Sequence, residues 1–356
     1  MSGASDEWRE LQAMFEAALE RPVGVRACWL STSIRDPLLR ERVAALLAGH
    51  QEDGGFDRLS GALAGLGGPP STGTMPDRVG PYTPEKLLGE GGVSLVFAAR
   101  RSAVPHAPLV AVKLIRPEVD GEGVRRRFFA ECEIVARLAH PGIARFVDAG
   151  LTREGVPYLV TEYVEGVPID QYADGLEPTD RLELLFQLCD AVEVAHLQGV
   201  VHRDLKPANI LVERSGRVRL LDFGIAKVVG GVPFAHLARE TSAGVRVMTL
   251  RYASPEQWAG EEITPASDVY QLGLLFHRVL AGRLPIPVDF AIEDGLAVAL
   301  SAEADGGTPK TLDPVVARAL AVQPQARYAS AGLLGRAARA GAEKRTRPEW
   351  WSWLRR

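Results

Sequence analysis

His202-Arg203-Asp204-Leu205-Lys206-Pro207-Ala208-Asn209 is the stretch on which the reading of this chain turns. It sets a carboxylate, an ammonium group and a side-chain amide close together in one short run. Strand-like segments follow, and then Asp222-Phe223-Gly224 supplies a second carboxylate. Taken alone, polar residues so placed would serve to satisfy a buried turn. What lies on either side decides between structure and chemistry.

Length and composition set the frame. The chain has 356 residues, enough for two or three compact units. Its hydrophobic fraction of 46% and charged fraction of 24% fit a soluble globular protein. Lys plus Arg number 41 against 45 for Asp plus Glu, a formal net charge of -4. A mildly acidic chain of this kind argues against a dedicated nucleic-acid binder. Cys28, Cys132 and Cys189 are scattered without metal-ligand spacing and fit reduced thiols in a cytosolic compartment. Asp6, Glu7 and Glu10 near the N-terminus, with no apolar segment between them, do not read as a signal peptide. No run of about 18 apolar residues is present to span a bilayer.

Outward from the central string, the chain divides into segments of different character. Trp8, Leu11, Phe15, Ala18 and Leu19 recur at helical spacing over residues 6–20. Asp36 and Pro37 suit the start of a second helix, with Leu39, Val43, Leu46 and Leu47 as its apolar stripe. Residues 60–81 crowd glycine and proline together and predict a flexible linker. From Tyr82 to about Gly166 short β-rich runs dominate: Val93–Ala98, Leu109–Ile115 and Tyr158–Val164. One helix is expected among them at 122–138, with Phe129, Cys132, Val135 and Ala136 on its apolar side. From Pro178 onward helices prevail. Residues 178–198 carry Leu182, Leu185, Phe186, Cys189 and Val192 on one face and stop at Gly199, and residues 266–281 stop at Gly282. A β-rich half followed by a helical half predicts an α+β protein of two lobes with a crevice between them. The expected boundaries are a helical N-terminal segment over 1–59, the linker over 60–81, a bilobal domain over 82–340 divided near 164/165, and a tail over 341–356.

The two opening strings resemble the catalytic loop and the metal-binding triplet of the protein kinase family, in the family's order. The resemblance extends over about residues 82–338 and is that of a bacterial, eukaryotic-like (Hanks-type) serine/threonine kinase. It implies ATP and Mg²⁺ as cofactors and the bilobal kinase fold. Phosphoryl transfer has a loose transition state, so a kinase chiefly positions groups and neutralises charge. By this likeness Asp204 sits beside the attacking hydroxyl, and Lys206 stands near the γ-phosphate. Asn209 and Asp222 offer oxygen ligands to Mg²⁺. Leu88-Gly89-Glu90-Gly91-Gly92-Val93-Ser94-Leu95-Val96 is similar to the glycine-rich phosphate loop; Gly89, Gly91 and Val96 match it, and Ser94 stands where the third glycine is usual. Val110-Ala111-Val112-Lys113 resembles the strand whose lysine grips the α- and β-phosphates, with Ala111 over the nucleotide. Glu131, nine residues before His140-Pro141, is the expected partner of Lys113 in preference to Glu133, which would point to another face of its helix. Thr161, Glu162 and Val164 occupy the hinge: Thr161 lines the back of the pocket, and backbone groups of the other two meet the adenine edge.

Beyond the triplet, a long segment ending at Ser254-Pro255-Glu256 is similar to an activation segment. Thr241, Ser242 and Thr249 are its candidate phosphorylation sites, and Arg203 is the cation that would pair with added phosphate. Thr249 also matches the threonine that bonds the catalytic aspartate and lysine; Met248 and Ser254 replace the usual glycine and alanine. Asp268 resembles the helix aspartate that anchors the catalytic loop, and Arg327 the partner of Glu256. The implied activity is γ-phosphate transfer from Mg²⁺-ATP to serine or threonine hydroxyls of proteins, with autophosphorylation in signalling. Lys206 argues against tyrosine, and Thr249 with Ser254-Pro255-Glu256 argues against a small-molecule substrate. The alternative is a nucleotide-binding pseudokinase or scaffold, for which Ser94 and Met248 are the support. The partners expected are protein substrates and no nucleic acid, and dimerisation stays open. Residues 343–356 hold three tryptophans and five basic residues. That pairing suits a membrane interface. The expected place, from the scattered thiols, is the cytoplasm, with a tether to the inner face of the plasma membrane through a segment following this chain as a further reading.

Overall fold

The computed structural model describes residues 14, 17–18, 21, 23–34, 36, 39–40, 43–44, 75–91, 94–115, 122–223, 251–285 and 308–343. Helix α1 (Val23–Ser33) belongs to the N-terminal segment, where Ala18, Leu30, Ile34, Leu39 and Val43 form their own apolar cluster, with Met14 and Trp29 against it. The buried positions of Ala18, Leu39 and Val43 agree with the stripes expected there. Residues 60–74 of the expected linker lie outside the described residues. The end of that stretch is fixed in place: Val79 is buried and bridges antiparallel to Tyr82. Gly80 turns there at φ +56°, where an added Cβ would stand 2.4 Å from the Tyr158 hydroxyl.

Five antiparallel strands follow, β1 (Tyr82–Gly91), β2 (Ser94–Arg101), β3 (Val110–Ile115), β4 (Phe146–Leu151) and β5 (Pro157–Glu162), in the spatial order β1-β2-β3-β5-β4. Alternation along the strands gives the sheet two different faces. Ala99, Val110, Val112, Tyr158 and Val160 pack with Tyr82 and Val79 into an apolar cluster on one face. Helix α2 (Glu122–Val135) lies between β3 and β4 in sequence. Its buried positions are Phe128, Cys132 and Val135, whereas Phe129 and Ala136 are exposed. The expected register along this helix was therefore shifted at its ends. Two adjacent phenylalanines offer the same propensity, and only packing chooses between them.

The helical lobe contains β6 (Val167–Pro168), α3 (Ile169–Ala173), α4 (Pro178–Leu197), β7 (Ile210–Val212), β8 (Val218–Leu220), α5 (Pro255–Ala259), α6 (Pro265–Ala281), α7 (Asp313–Ala319) and α8 (Ala331–Glu343). Pro178 and Pro265 sit in the first turns of α4 and α6, where a missing N–H costs nothing, and Gly282 ends α6 in the left-handed conformation. The five residues expected on one face of α4 are all buried, and so are Leu184, Leu188 and Ala191. Helix α6 is buried almost throughout from Ser267 to Leu280. Its buried face includes the polar Ser267, Asp268, Gln271 and His277, and α7 and α8 pack against it. Gly335 permits the close approach of α8 to α4, since an added Cβ would lie 3.0 Å from Cβ of Cys189. One continuous core runs from Ile115, Phe128 and Leu159 through Ile143 and Leu220 into α4 and α6. Among the described residues no helix is long and apolar enough to cross a membrane.

Candidate active site

Strand register assembles the upper wall. Val96 pairs with Lys113 and Ala98 with Ala111 across β2 and β3, while Lys113 pairs with Leu159 and Ala111 with Thr161 across β3 and β5. Cross-strand partners share a face, so Val96, Ala111, Lys113 and Thr161 stand together, opposite the face sealed by Tyr82 and Tyr158. Gly89 pairs with Val96 and Gly91 with Ser94 in the hairpin above. Among the described residues, a Cβ added at Gly89 would meet no atom within 4 Å. Ser94, two residues before Val96, falls on the same face as Val96 and Lys113.

The lower wall is built on the loop between α4 and β7. Asp268, fully buried on α6, accepts the backbone N–H groups of His202 at 2.7 Å and Arg203 at 2.9 Å, and its Oδ2 lies 2.9 Å from Nε2 of His196. Arg203 is thereby held at φ +68°, a conformation that L residues adopt only at a cost of order 1–3 kcal/mol. The His202 ring packs against Phe223 at a tilt of 48°, and its Nε2 meets the Leu221 carbonyl at 2.7 Å. Burial holds the imidazole below its ordinary pKa, against the opposing pull of Asp268, the Leu221 carbonyl, Asp204 and Asp222. The role expected of Asp268 as an anchor thus corresponds to three polar contacts.

Asp204, Lys206, Asn209 and Asp222 meet at the mouth of this loop. Lys206 Nζ lies 3.1 Å from Asp204 Oδ2. The Asn209 amide donates to the Asp204 carbonyl at 2.8 Å and to its carboxylate at 3.0 Å. The Leu221 N–H donates to the Asn209 carbonyl at 2.8 Å, which ties Asn209 to the strand end that carries Asp222. Asp222 sits at φ +42°, and its carboxylate lies 3.3 Å from Lys113 Nζ. That ion pair closes the crevice between the sheet and the helical lobe. Glu131 is half-buried on α2 and Glu133 is exposed, consistent with Glu131 as the inward-facing member. Among the described residues, however, the ion-pair partner of Lys113 is Asp222 and not Glu131.

A nucleotide and a hard divalent cation fit these donors. With its NH₂ turned to Asp204, Asn209 has its amide oxygen left to accept or ligate, and Asp222 offers a carboxylate. Among the described residues no cluster of three or more His, Cys, Asp or Glu forms a metal cage. Two protein oxygens together with phosphate oxygens is the ordinary coordination of protein-bound Mg²⁺.

The hinge follows β5. Thr161 and Glu162 are half-buried and Val164 is buried. The Glu162 N–H donates to the Arg145 carbonyl at 2.9 Å, its carboxylate accepts from the Arg145 N–H at 2.9 Å, and it pairs with Arg219 on β8. Gly166 passes so close to β7 that an added Cβ would stand 2.7 Å from the Val212 carbonyl oxygen. At the far side of the lobe, Arg327 binds Glu256 through two hydrogen bonds of 2.7 and 2.9 Å, both side chains being buried. Thr241, Ser242, Thr249 and Met248 lie outside the described residues, as do residues 344–356; α8 runs to Glu343, so the expected tail boundary at 340/341 falls inside that helix. Two buried glutamines, Gln257 and Gln271, are functional candidates with a weaker signal in the sequence. Gln271 lies one helical turn after Asp268, and Gln257 is the third residue after the cap Ser254.

Comparison with known proteins agrees with this architecture. The model of the protein kinase domain matches residues 82–331. Serine/threonine-protein kinase PknH of Mycobacterium tuberculosis (strain ATCC 25618 / H37Rv) is 35% identical over 268 residues, covering 73% of this chain and 41% of that protein. Serine/threonine-protein kinase PksC of Streptomyces coelicolor is 35% identical over 298 residues, covering 79% of this chain and 50% of that protein. The chain therefore spans half or less of the length of these two relatives. The crystal structure of the Mycobacterium tuberculosis PknI kinase domain superposes with a TM-score of 0.56 at 27% identity, covering 74% of this chain and 97% of that one. With the crevice, the loop and the sheet face arranged as described, the chain belongs to the protein kinase family, among the bacterial serine/threonine kinases of the Hanks type.

Proposed function

We propose that this chain transfers the γ-phosphate of Mg²⁺-ATP to serine and threonine hydroxyls of protein substrates. The observation that carries the reading is the continuous polar line Lys206–Asp204–Asn209 on the loop and Asp222–Lys113 across the crevice. The likeness to kinases named for serine and threonine supports the acceptor class. Asp204 Oδ orients the acceptor hydroxyl and takes its proton as the oxygen–phosphorus bond forms and the bond to the β-phosphate oxygen breaks. Lys206, already beside Asp204, compensates charge on the transferring group. Lys113 neutralises phosphate oxygens further back, and the face it shares with Val96, Ala111 and Thr161 receives the base and sugar. Asn209 and Asp222 would hold Mg²⁺, which when bound supplies charge neutralisation for the phosphate chain. Glu131, half-buried on α2, is the proposed partner of Lys113 in the nucleotide-bound protein.

Incubation of the purified protein with γ-labelled ATP and Mg²⁺ tests this reading. Labelled phosphoserine or phosphothreonine is expected from the intact chain and not from Asp204→Ala. Equal label in both proteins would remove Asp204 from the chemistry. Site mapping in the same material tests Thr241, Ser242 and Thr249. The tail over 341–356 is proposed to touch an anionic membrane surface from the cytoplasmic side, and failure to float with anionic vesicles would end that part of the reading.

A further inference from the structure

Gln257 and Gln271 form a chain of hydrogen bonds that brackets Asp204. The Leu205 N–H donates to Oε1 of Gln271 at 2.9 Å. The Gln271 NH₂ donates to Oε1 of Gln257 at 3.0 Å, and the Gln257 NH₂ donates to the Arg203 carbonyl at 2.7 Å. The relay thus starts on the residue after Asp204 and ends on the residue before it. Oε1 of Gln257 also accepts the N–H of Ser254 at 3.0 Å. Ser254 caps α5 and follows Tyr252 and Ala253, both buried in the helical lobe. Both glutamines are nearly inaccessible to solvent, at 3% and 2% exposure. A buried amide that lacks a partner costs free energy, so each link constrains the next.

We infer that Gln257 and Gln271 are positioning residues that transmit the placement of Ser254 to the backbone on either side of Asp204. The proposal rests on the reading of Asp204 as the group that takes the substrate proton. Asp268 holds the loop from one side, through the amides of His202 and Arg203, and the Asn209 amide holds the Asp204 carbonyl. The glutamines fix it from the other, through the carbonyl of Arg203 and the amide of Leu205. A peptide held at both ends aims its carboxylate; one held at a single end swings, and a misplacement near 1 Å at a reacting group costs about a hundredfold in rate. Because the two amides contact each other, they act as a unit rather than as two separate anchors.

Methionine has nearly the shape of glutamine without its amide, so Gln257→Met, Gln271→Met and the double variant test the relay in the full chain. Two readouts are needed. In Gln257→Met, hydrogen exchange at the Leu205 amide should accelerate about tenfold or more, although its direct acceptor Gln271 is intact. In both single variants kcat should fall roughly tenfold to a hundredfold with the KM for ATP within about threefold of the parent, and the double variant should lose no more than the worse single one. Urea melts of every variant, with kcat taken per folded molecule, guard against misfolding of the methionine forms. Unchanged exchange at Leu205 in Gln257→Met would overturn the coupling whatever the turnover. Losses that multiply in the double variant, or that track only the folded fraction, would also overturn it. Retained transfer by Asp204→Ala would overturn the underlying assignment instead, which separates the two failures.

Discussion

Lys113 and Asp222 face each other across the crevice at 3.3 Å, one on the sheet and the other at the end of β8. Each is also the group that the chemistry would use against phosphate or metal, so their contact occupies both at once. Their side chains keep 15% and 23% of their surface exposed, so both groups still reach the water of the crevice. Function and stability should therefore separate. Lys113→Met is expected to lower kcat about a hundredfold or more while moving the melting temperature by no more than a few degrees. Steady-state kinetics beside calorimetry checks this. A variant that loses activity only by unfolding would contradict it.

Asp222→Asn probes the metal side of the same contact. The amide keeps one oxygen but loses the charge that a hard cation prefers. The Mg²⁺ concentration giving half-maximal transfer should rise about tenfold or more, and saturating Mg²⁺ should restore only part of the rate. An unchanged Mg²⁺ titration would take Asp222 out of the metal site.

The Arg327–Glu256 pair calls for the opposite outcome. Arg327 donates to both oxygens of Glu256 and to the carbonyls of Ala321, Ala266 and Val322. Burial alone would raise the Glu256 carboxyl, but the Arg327 hydrogen bonds and charge, with Ser267 assisting, hold it below the usual range. Arg327→Ala leaves a buried anion and three carbonyl acceptors unmet. The loss should be about 3–5 kcal/mol in urea unfolding, with activity per folded molecule nearly intact at low temperature. A loss below about 1 kcal/mol would show that the pair is replaceable by water.

Much of this was legible in the residues, and the reason differs from place to place. Asp204, Asn209 and Asp222 announce themselves because chemistry fixes their type and spacing. The face shared by Val96, Ala111, Lys113 and Thr161 follows from period-two alternation once the strands are paired. Gln271 carries no such signal, since a glutamine inside a helical run looks like any exposed position until its helix is found to be buried nearly all round, and Gln257 looks like an ordinary residue of a first helical turn. The apolar stripe of α2 shows another limit: Phe128 and Phe129 are alike in propensity, and only the neighbouring strands tell them apart. The partner of Lys113 is a tertiary fact of the same sort, since spacing along the chain nominates Glu131 and the distance across the crevice selects Asp222.

Phe128 and Phe129 give a direct check on that point. Phe128 is fully buried in the core that runs on to Ile143 and Leu220, whereas Phe129 keeps 38% of its surface exposed. Phe128→Ala should cost about 3–5 kcal/mol and Phe129→Ala about 1 kcal/mol or less. Similar losses for both would mean that α2 is rotated from the position described.

Acid should weaken the protein in two stages. The His202 imidazole is depressed by burial, so protons bind the unfolded chain before they bind the folded one. Its contribution is whole above the ordinary histidine value of about 6.5 and is lost as pH falls toward the depressed folded value. Glu256 is likewise depressed, so its contribution is whole above the ordinary value of 4.5 and drains away below it. Urea midpoints should fall between pH 7 and pH 5 through His202, and again below pH 4.5 through Glu256. In His202→Gln the first decline should flatten while the second persists; a decline between pH 7 and pH 5 as steep as the parent's would assign that acid sensitivity to other groups.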